Sequence, residues 1–132
     1  MIRTRPATPH AERLRAIHDG VADLLAEHAV EGAAIEDWFI HAFSRSAMGM
    51  AEARGAVQVA IAGAGVVVSQ YSPNTIKQSV TGNGSADKSQ VRAMVTRLTR
   101  IEPGNDHAAD ALAAAICHLC GAPLAQAIRR AR

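Results

Sequence analysis

The residues with the most evident chemistry stand near the C-terminal end of the chain. In Asn105-Asp106-His107-Ala108-Ala109-Asp110 two carboxylates are four apart, and an imidazole stands three before the second of them. On a helix this spacing puts His107 and Asp110 on one face, with Asp106 at the start. The neighbours of Asp110 are apolar, namely Ala108, Ala109, Ala111, Leu112 and on to Ile116. An unpaired carboxylate buried among them would be costly, so Asp110 needs a partner. A divalent cation is one such partner; an Arg, with Asp106 serving as an N-cap, is the other. Glu36 closes the short run Ala33-Ala34-Ile35-Glu36, which reads as a buried strand projecting a carboxylate from its end. Carboxylates converging from a strand end and a helix would bind Mg²⁺ or Mn²⁺, which activate water and stabilise the leaving oxygen of a phosphodiester. Metal-dependent hydrolysis of nucleic acid is one expectation, and a non-catalytic nucleic-acid-binding or dimerisation module is the competing one.

A second segment, Thr81-Gly82-Asn83-Gly84-Ser85-Ala86-Asp87-Lys88, is a Gly-rich loop that opens a helix. It is not a Walker A loop, because that motif needs Gly immediately before the Lys and Asp87 stands there. The general property remains. Gly82 and Gly84 let backbone approach a ligand, the helix start near Ser85 offers N–H groups, and Lys88 adds a point charge. Together these would cradle one phosphate; the alternative is a flexible loop with a surface Lys. Cys117 and Cys120 form a single C-x-x-C pair with His118 between them, and His107 lies earlier on the same stretch. A zinc site would need further ligands nearby, so two small buried thiols near a helix end are the favoured reading.

Charge along the chain is segregated. From Lys77 to Arg100 there are five bases (Lys77, Lys88, Arg92, Arg97, Arg100) and one acid (Asp87). From Asp19 to Asp37 there are six acids and neither Lys nor Arg, and Arg129, Arg130 and Arg132 add a basic C-terminus. Basic stretches beside an acidic cluster suit a protein that holds a polyanion and performs metal chemistry on it.

The elements that must position these groups follow from patterning. The 132 residues suffice for one domain of ordinary size, and 28 Ala against four aromatics (Trp38, Phe39, Phe43, Tyr71) imply a core of small aliphatic side chains. No apolar run approaches the ~20 residues of a membrane span, and the arginines near the start do not suit a signal peptide. A cytoplasmic protein with no membrane partner is expected. Leu14, Ile17, Val21, Leu24 and Leu25 predict an amphipathic helix over about 10–28. A second helix is expected over 44–63, stopped by Gly63 and Gly65. The β-branched run Val66 to Tyr71 predicts a strand covered on both faces, and Pro73 a short helical turn. Helices over about 86–100, with Ser85 as N-cap, and about 106–120, ended by Gly121-Ala122-Pro123, complete the chain. Alternating strands and helices predict an α/β three-layer domain.

Read in order, Ala34-Ile35-Glu36, Ala53-Arg54-Gly55, the stretch Thr81 to Val91 and Asp106-His107-Ala108-Ala109-Asp110-Ala111-Leu112-Ala113 resemble the RuvC family of Holliday junction resolvases. The resemblance runs from about Arg3 to Pro123, which makes 1–123 a RuvC-like nuclease domain and 124–132 a basic C-terminal tail. It implies an RNase H-like three-layer α/β fold, a homodimer, and symmetric nicking of opposed strands of four-way junction DNA with two Mg²⁺ or Mn²⁺ ions per active site. A branch-migration helicase complex is the further partner it implies. Under the resemblance Glu36 and Asp110 match catalytic metal ligands, and His107 falls where it ligates metal or positions the attacking water. Phe39 matches an aromatic that stacks on an unpaired base, and Trp38 beside it departs from the usual aliphatic and shares that role. Lys77 and Lys88 match basic residues near the scissile phosphate and the DNA backbone, in keeping with the cradle of Gly82, Gly84 and Ser85. The helix over 44–63 falls at the family's dimer contact.

One departure stands out. The family opens with a strand bearing an Asp that is its first metal ligand, and nothing before Glu36 resembles it, since Asp19 and Asp23 lie on a helix. Met1-Ile2-Arg3-Thr4 resembles the tail of the family's third strand, so an N-terminally truncated mixed sheet flanked by helices is expected. Three readings follow: a fragment or misplaced start of an ordinary resolvase; a shortened, catalytically deficient homodimer that still binds junctions; or substitution by another acid such as Asp37. The last conflicts with the opposite facing of adjacent strand residues.

Overall fold

The computed structural model describes residues 2–37 and 44–130, with side chains as far as residue 121. Seven elements follow in order: α1 (His10–Glu27), β1 (Gly32–Glu36), α2 (Arg45–Gly63), β2 (Val67–Tyr71), α3 (Pro73–Thr81), α4 (Lys88–Thr99) and α5 (Asp106–Arg130). β1 and β2 pair in a two-stranded parallel sheet, and at its end the Asp37 N–H donates to the Tyr71 carbonyl at 2.7 Å. Residues 2–5, expected to be the tail of a strand, carry no regular structure. The chain divides into two compact units: residues 1–33 with 39–68, and residues 34–38 with 69–132.

In the first unit α1 packs along α2. The leucines and isoleucine of α1 recur at helical spacing, yet no α1 residue is fully buried. The packing is close where small residues allow it: a Cβ on Gly20 would meet Ile2 Cγ1 at 2.8 Å. Ala60 and Ile61 of α2 are buried, and His10 Nε2 meets Glu52 Oε2 at 2.6 Å across the pair. Ser44 caps α2, its hydroxyl accepting from the Ala47 N–H at 3.1 Å.

The second unit holds the main core. Ile76 and Val80 of α3, Ala86 of the following loop, Val91 and Val95 of α4, and Ala113, Ala114 and Cys117 of α5 form one buried cluster, with Ala34 and Tyr71 packed against it. The expected turn after Pro73 is in fact a nine-residue helix. Ser72 caps it, Pro73 occupies its first turn, and Ile76 and Val80, four apart, bury one face. Gly82 ends α3 in the left-handed region at φ 76°, where a Cβ is disfavoured.

Four local expectations need correction. α4 starts at Lys88, and its cap is Asp87, not Ser85: the Asp87 carboxylate accepts from the Gln90 N–H at 2.9 Å while Gln90 Oε1 accepts from the Asp87 N–H at 3.0 Å. This reciprocal box satisfies two N–H groups at once and leaves Ala86 as a buried loop residue. α5 passes through Gly121-Ala122-Pro123 to Arg130; the strong helix formers Leu124, Ala125, Gln126 and Ala127 beyond the proline favour continuation. β2 is not covered on both faces: Val67 is 68% exposed, as a strand paired with only one described neighbour allows. Finally, only Cys117 of the two thiols is buried, because Cys117 continues the Ala109–Ala113 stripe at four-residue steps and Cys120 falls beside it.

Candidate functional site

Four charged side chains from four different elements line one cleft of about 280 Å³ in the second unit: Glu36 at the end of β1, Lys77 on α3, Lys88 at the start of α4 and Asp110 on α5. Pro73, Ile76, Val91 and Ala113 form the rest of its lining. Each group arrives there for a local reason. Glu36 is the last residue of its strand and is exposed beyond the half-buried run Gly32 to Ile35. Lys77 follows the buried Ile76 on α3, and Lys88 follows the Asp87 cap on α4. Asp110 lies next to the buried Ala109 and one turn before the buried Ala113.

The position of Asp110 differs from expectation in its environment. It is exposed, not embedded, so no burial cost has to be offset. α5 turns Ala109, Ala113, Ala114 and Cys117 to the core and leaves Asp110 at the cleft. Nor does an Arg pair with it among the described residues. Arg92 instead donates from Nη2 to the Pro103 carbonyl at 2.7 Å and approaches Asp106 Oδ1 at 3.4 Å and Glu102 Oε1 at 3.7 Å. The cap of α5 is Asn105, whose Oδ1 accepts from the Ala108 N–H at 2.8 Å, and Asp106 occupies the first turn.

The phosphate cradle expected from the 81–88 loop is built otherwise. Its N–H groups are engaged within the chain: Asn83 N–H with Thr81 Oγ1 at 3.1 Å, Gly84 N–H with Gln78 Oε1 at 3.0 Å and Ser85 N–H with Asn83 Oδ1 at 2.9 Å. The Ala86 N–H donates to the Asn83 carbonyl, and the Asp87 and Gln90 N–H groups close the capping box. Gln78 also donates from Nε2 to the Gly82 carbonyl at 2.9 Å, clamping the loop onto α3. The loop passes close to α3 here, since a Cβ on Gly84 would stand 3.4 Å from the Asn74 carbonyl, at the near edge of van der Waals contact. The Asp87 carboxyl is held below its ordinary value first by the Ser89 hydroxyl, then by the Gln90 N–H, with Lys77 a smaller cause. A carboxylate thus occupies the helix start, and Lys88 beside it is the cation that this segment turns to the cleft.

His107 is exposed one turn before Asp110 and is not in the cleft lining. Among the described residues no three His, Cys, Asp or Glu side chains are grouped as a metal site, which applies to Cys117, His118 and Cys120 as well as to Glu36, His107 and Asp110. Trp38 and Phe39 lie outside the described residues. Two exposed carboxylates facing one cleft nevertheless suit a hard divalent cation, which takes one or two carboxylates and keeps several waters. No helix among the described residues is long and apolar enough to cross a membrane. Sequence reasoning missed the apolar half of the cleft, Tyr71 with His118, the Arg92 clasp and the Asp87-x-x-Gln90 box beside Lys88; of these only the box had a readable signal.

Comparison with solved structures agrees with this architecture. The Thermus thermophilus RuvC structure superposes with a TM-score of 0.85 at 36% identity, covering 94% of this chain and 76% of that one. T. thermophilus RuvC in complex with Holliday junction substrate gives 0.88 at the same identity and coverage. The fold is therefore the RNase H-like fold of a nuclease domain. The model for "Crossover junction endodeoxyribonuclease RuvC" matches residues 1–118. A Halorhodospira halophila protein of that name is 47% identical over 126 residues, 92% of this chain and 75% of its own length. The Mycobacterium avium protein of the same name is 44% identical over 133 residues, covering 99% and 71%. The chain belongs to the RuvC family of crossover junction endodeoxyribonucleases.

Proposed function

We propose that this chain binds four-way DNA junctions and nicks them with divalent metal, as a structure-selective endodeoxyribonuclease of recombination and repair. The observation that carries the reading is the convergence of Glu36 and Asp110 with Lys77 and Lys88 on one cleft. Glu36 and Asp110 are the ligands for Mg²⁺, with Mn²⁺ as the alternative and two ions per site. When bound, such ions activate water and stabilise the leaving oxygen of a phosphodiester. His107, one turn before Asp110, serves the same site as a further ligand or by orienting the attacking water. Lys77 and Lys88 hold the scissile phosphate and the flanking backbone as point charges, with Gly82, Gly84 and Ser85 shaping the loop that presents Lys88. Phe39 and Trp38 stack on unpaired bases at the branch point. A homodimer would present two such clefts to opposed strands, which suits symmetric nicking, with a branch-migration helicase as further partner. Residues 1–123 form the nuclease domain and 124–132 its basic extension.

A second reading, junction binding without cleavage, draws on one observation: among the described residues, the cleft lining holds two acids and no third. Nicking of a synthetic four-way junction in Mg²⁺, run beside a gel shift on junction and linear duplex, separates the two. Nicking abolished by Glu36→Gln supports the nuclease; tight, junction-selective binding with no nicking supports the binding role.

A further inference from the structure

We infer that Tyr71 and His118 form a strut that sets the register of α5 against the sheet, and so are positioning residues for the divalent cation held by Glu36 and Asp110. The inference rests on the proposed role of those two carboxylates.

Tyr71 makes two connections at once. Its carbonyl accepts the Asp37 N–H at 2.7 Å, fixing the backbone immediately after Glu36. Its phenol oxygen lies 2.9 Å from His118 Nδ1, in a half-buried hydrogen bond with the two rings edge-on at 5.9 Å between centroids. His118 stands eight residues after Asp110 on the same helix, about 12 Å further along the axis. One residue therefore joins the strand end that carries the first carboxylate to the helix that carries the second.

The surrounding core cannot supply this precision alone. α5 meets it through the buried Ala109, Ala113, Ala114 and Cys117, with Leu112 and Ile116 packed half-buried against the same cluster. The buried residues are small and apolar contact is non-directional, so packing alone sets the axial position of the helix less sharply than a hydrogen bond does. Directional bonds have to fix its position. Among the described residues, α4 hydrogen-bonds to its first turn through Arg92 and Asp106, and α3 to its middle through the Ser79 hydroxyl and Cys117 Sγ at 3.3 Å. The Tyr71–His118 bond refers α5 to the sheet end beside Glu36. Outer partners of this kind hold ligands in the geometry a metal requires.

The test is Mn²⁺ binding to the full chain by isothermal titration calorimetry, with no DNA present. Tyr71→Phe keeps the ring and removes the hydroxyl, and should raise the Mn²⁺ Kd by about fivefold, the factor carried by one net hydrogen bond. His118→Leu should match it, the double variant should be no worse than either single change, and His118→Asn, which keeps a polar atom at the Nδ1 position, should restore binding to within about twofold. Circular dichroism confirms that each variant is folded. Tyr71→Phe and His118→Leu both binding Mn²⁺ like the parent, while Glu36→Gln and Asp110→Asn do not bind it, would overturn the strut and leave the metal site standing. Unchanged Mn²⁺ binding by Glu36→Gln and Asp110→Asn would overturn the site, and the strut's purpose with it.

Discussion

Lys88 offers a sharp quantitative test of the cleft as a DNA surface. It is exposed at the first position of α4, and the cap beside it is closed by Asp87 and Gln90 without its side chain, so Lys88→Ala leaves the helix start intact. If the ammonium neutralises one phosphate, its loss removes one counterion-release contact and flattens the slope of log K against log[salt] by about 0.9. Between 50 and 200 mM salt, the advantage of the parent over Lys88→Ala then shrinks by about 3.5-fold. Removing Lys77 as well should flatten the slope by about 1.8, provided both lysines touch phosphate. The assay is fluorescence anisotropy of a labelled immobile junction in EDTA across a KCl series, repeated on a second junction sequence, because a phosphate contact carries no sequence preference. Arg15, which pairs with Asp19 on α1 and is not part of the cleft lining, provides the control. Parallel salt slopes for the parent and Lys88→Ala, or an equal flattening by Arg15→Ala, would refute the phosphate contact.

Other consequences concern the scaffold. Val95 is 0% exposed at the centre of the cluster joining α3, α4 and α5; Val95→Ala removes two buried methyl groups and leaves a cavity, costing about 2–3 kcal/mol in urea titration. That cost lowers Tm by about 8–12 °C for a chain of this size, whereas Leu98→Ala, at a position 53% exposed, should stay within about 0.5 kcal/mol of the parent. Arg100 ends α4 at φ 59°, so Arg100→Gly should stabilise by about 0.5–1 kcal/mol, and a loss of stability would contradict the strain argument. The Asp87 carboxyl titrates below its unfolded value of 3.8, so its stabilisation is complete above that pH and lost as pH falls through the lower folded value. The Tm difference between parent and Asp87→Ala should therefore be full at pH 6 and shrink as the pH falls below 3.8; a difference undiminished in acid would contradict it.

Much of the scaffold is legible because periodicity and caps are local. The apolar spacing from Leu14 to Leu25 marks α1 within a residue of its bounds, and Ala33 to Glu36 marks β1. Errors arise where two local signals compete. Ser85 and Asp87 are both good caps two residues apart, and the reciprocal partner Gln90 decides for Asp87. Pro123 resembles a helix stop, but the helix formers around it prevail. The environment of Asp110 is illegible for a different reason. With Ala on both sides, polarity does not mark which face of α5 is buried, so a cleft-facing carboxylate resembles a core one. The meeting of Glu36, Lys77, Lys88 and Asp110 is a tertiary event among four elements that no spacing encodes. Residue chemistry alone suggests the pairing of Glu36 with Asp110 and a phosphate charge at Lys88; only the family resemblance brings Lys77 and Lys88 to that same site.

The most direct measurement is the nicking rate of a synthetic four-way junction in Mg²⁺ by the parent chain, Glu36→Gln and Asp110→Asn, with junction affinity measured in parallel. The cleft as described predicts nicking by the parent and a loss of about 10²–10³-fold in each variant, the scale of removing a group that acts in the transition state, with junction binding retained. Cleavage by both variants at the parental rate would contradict it.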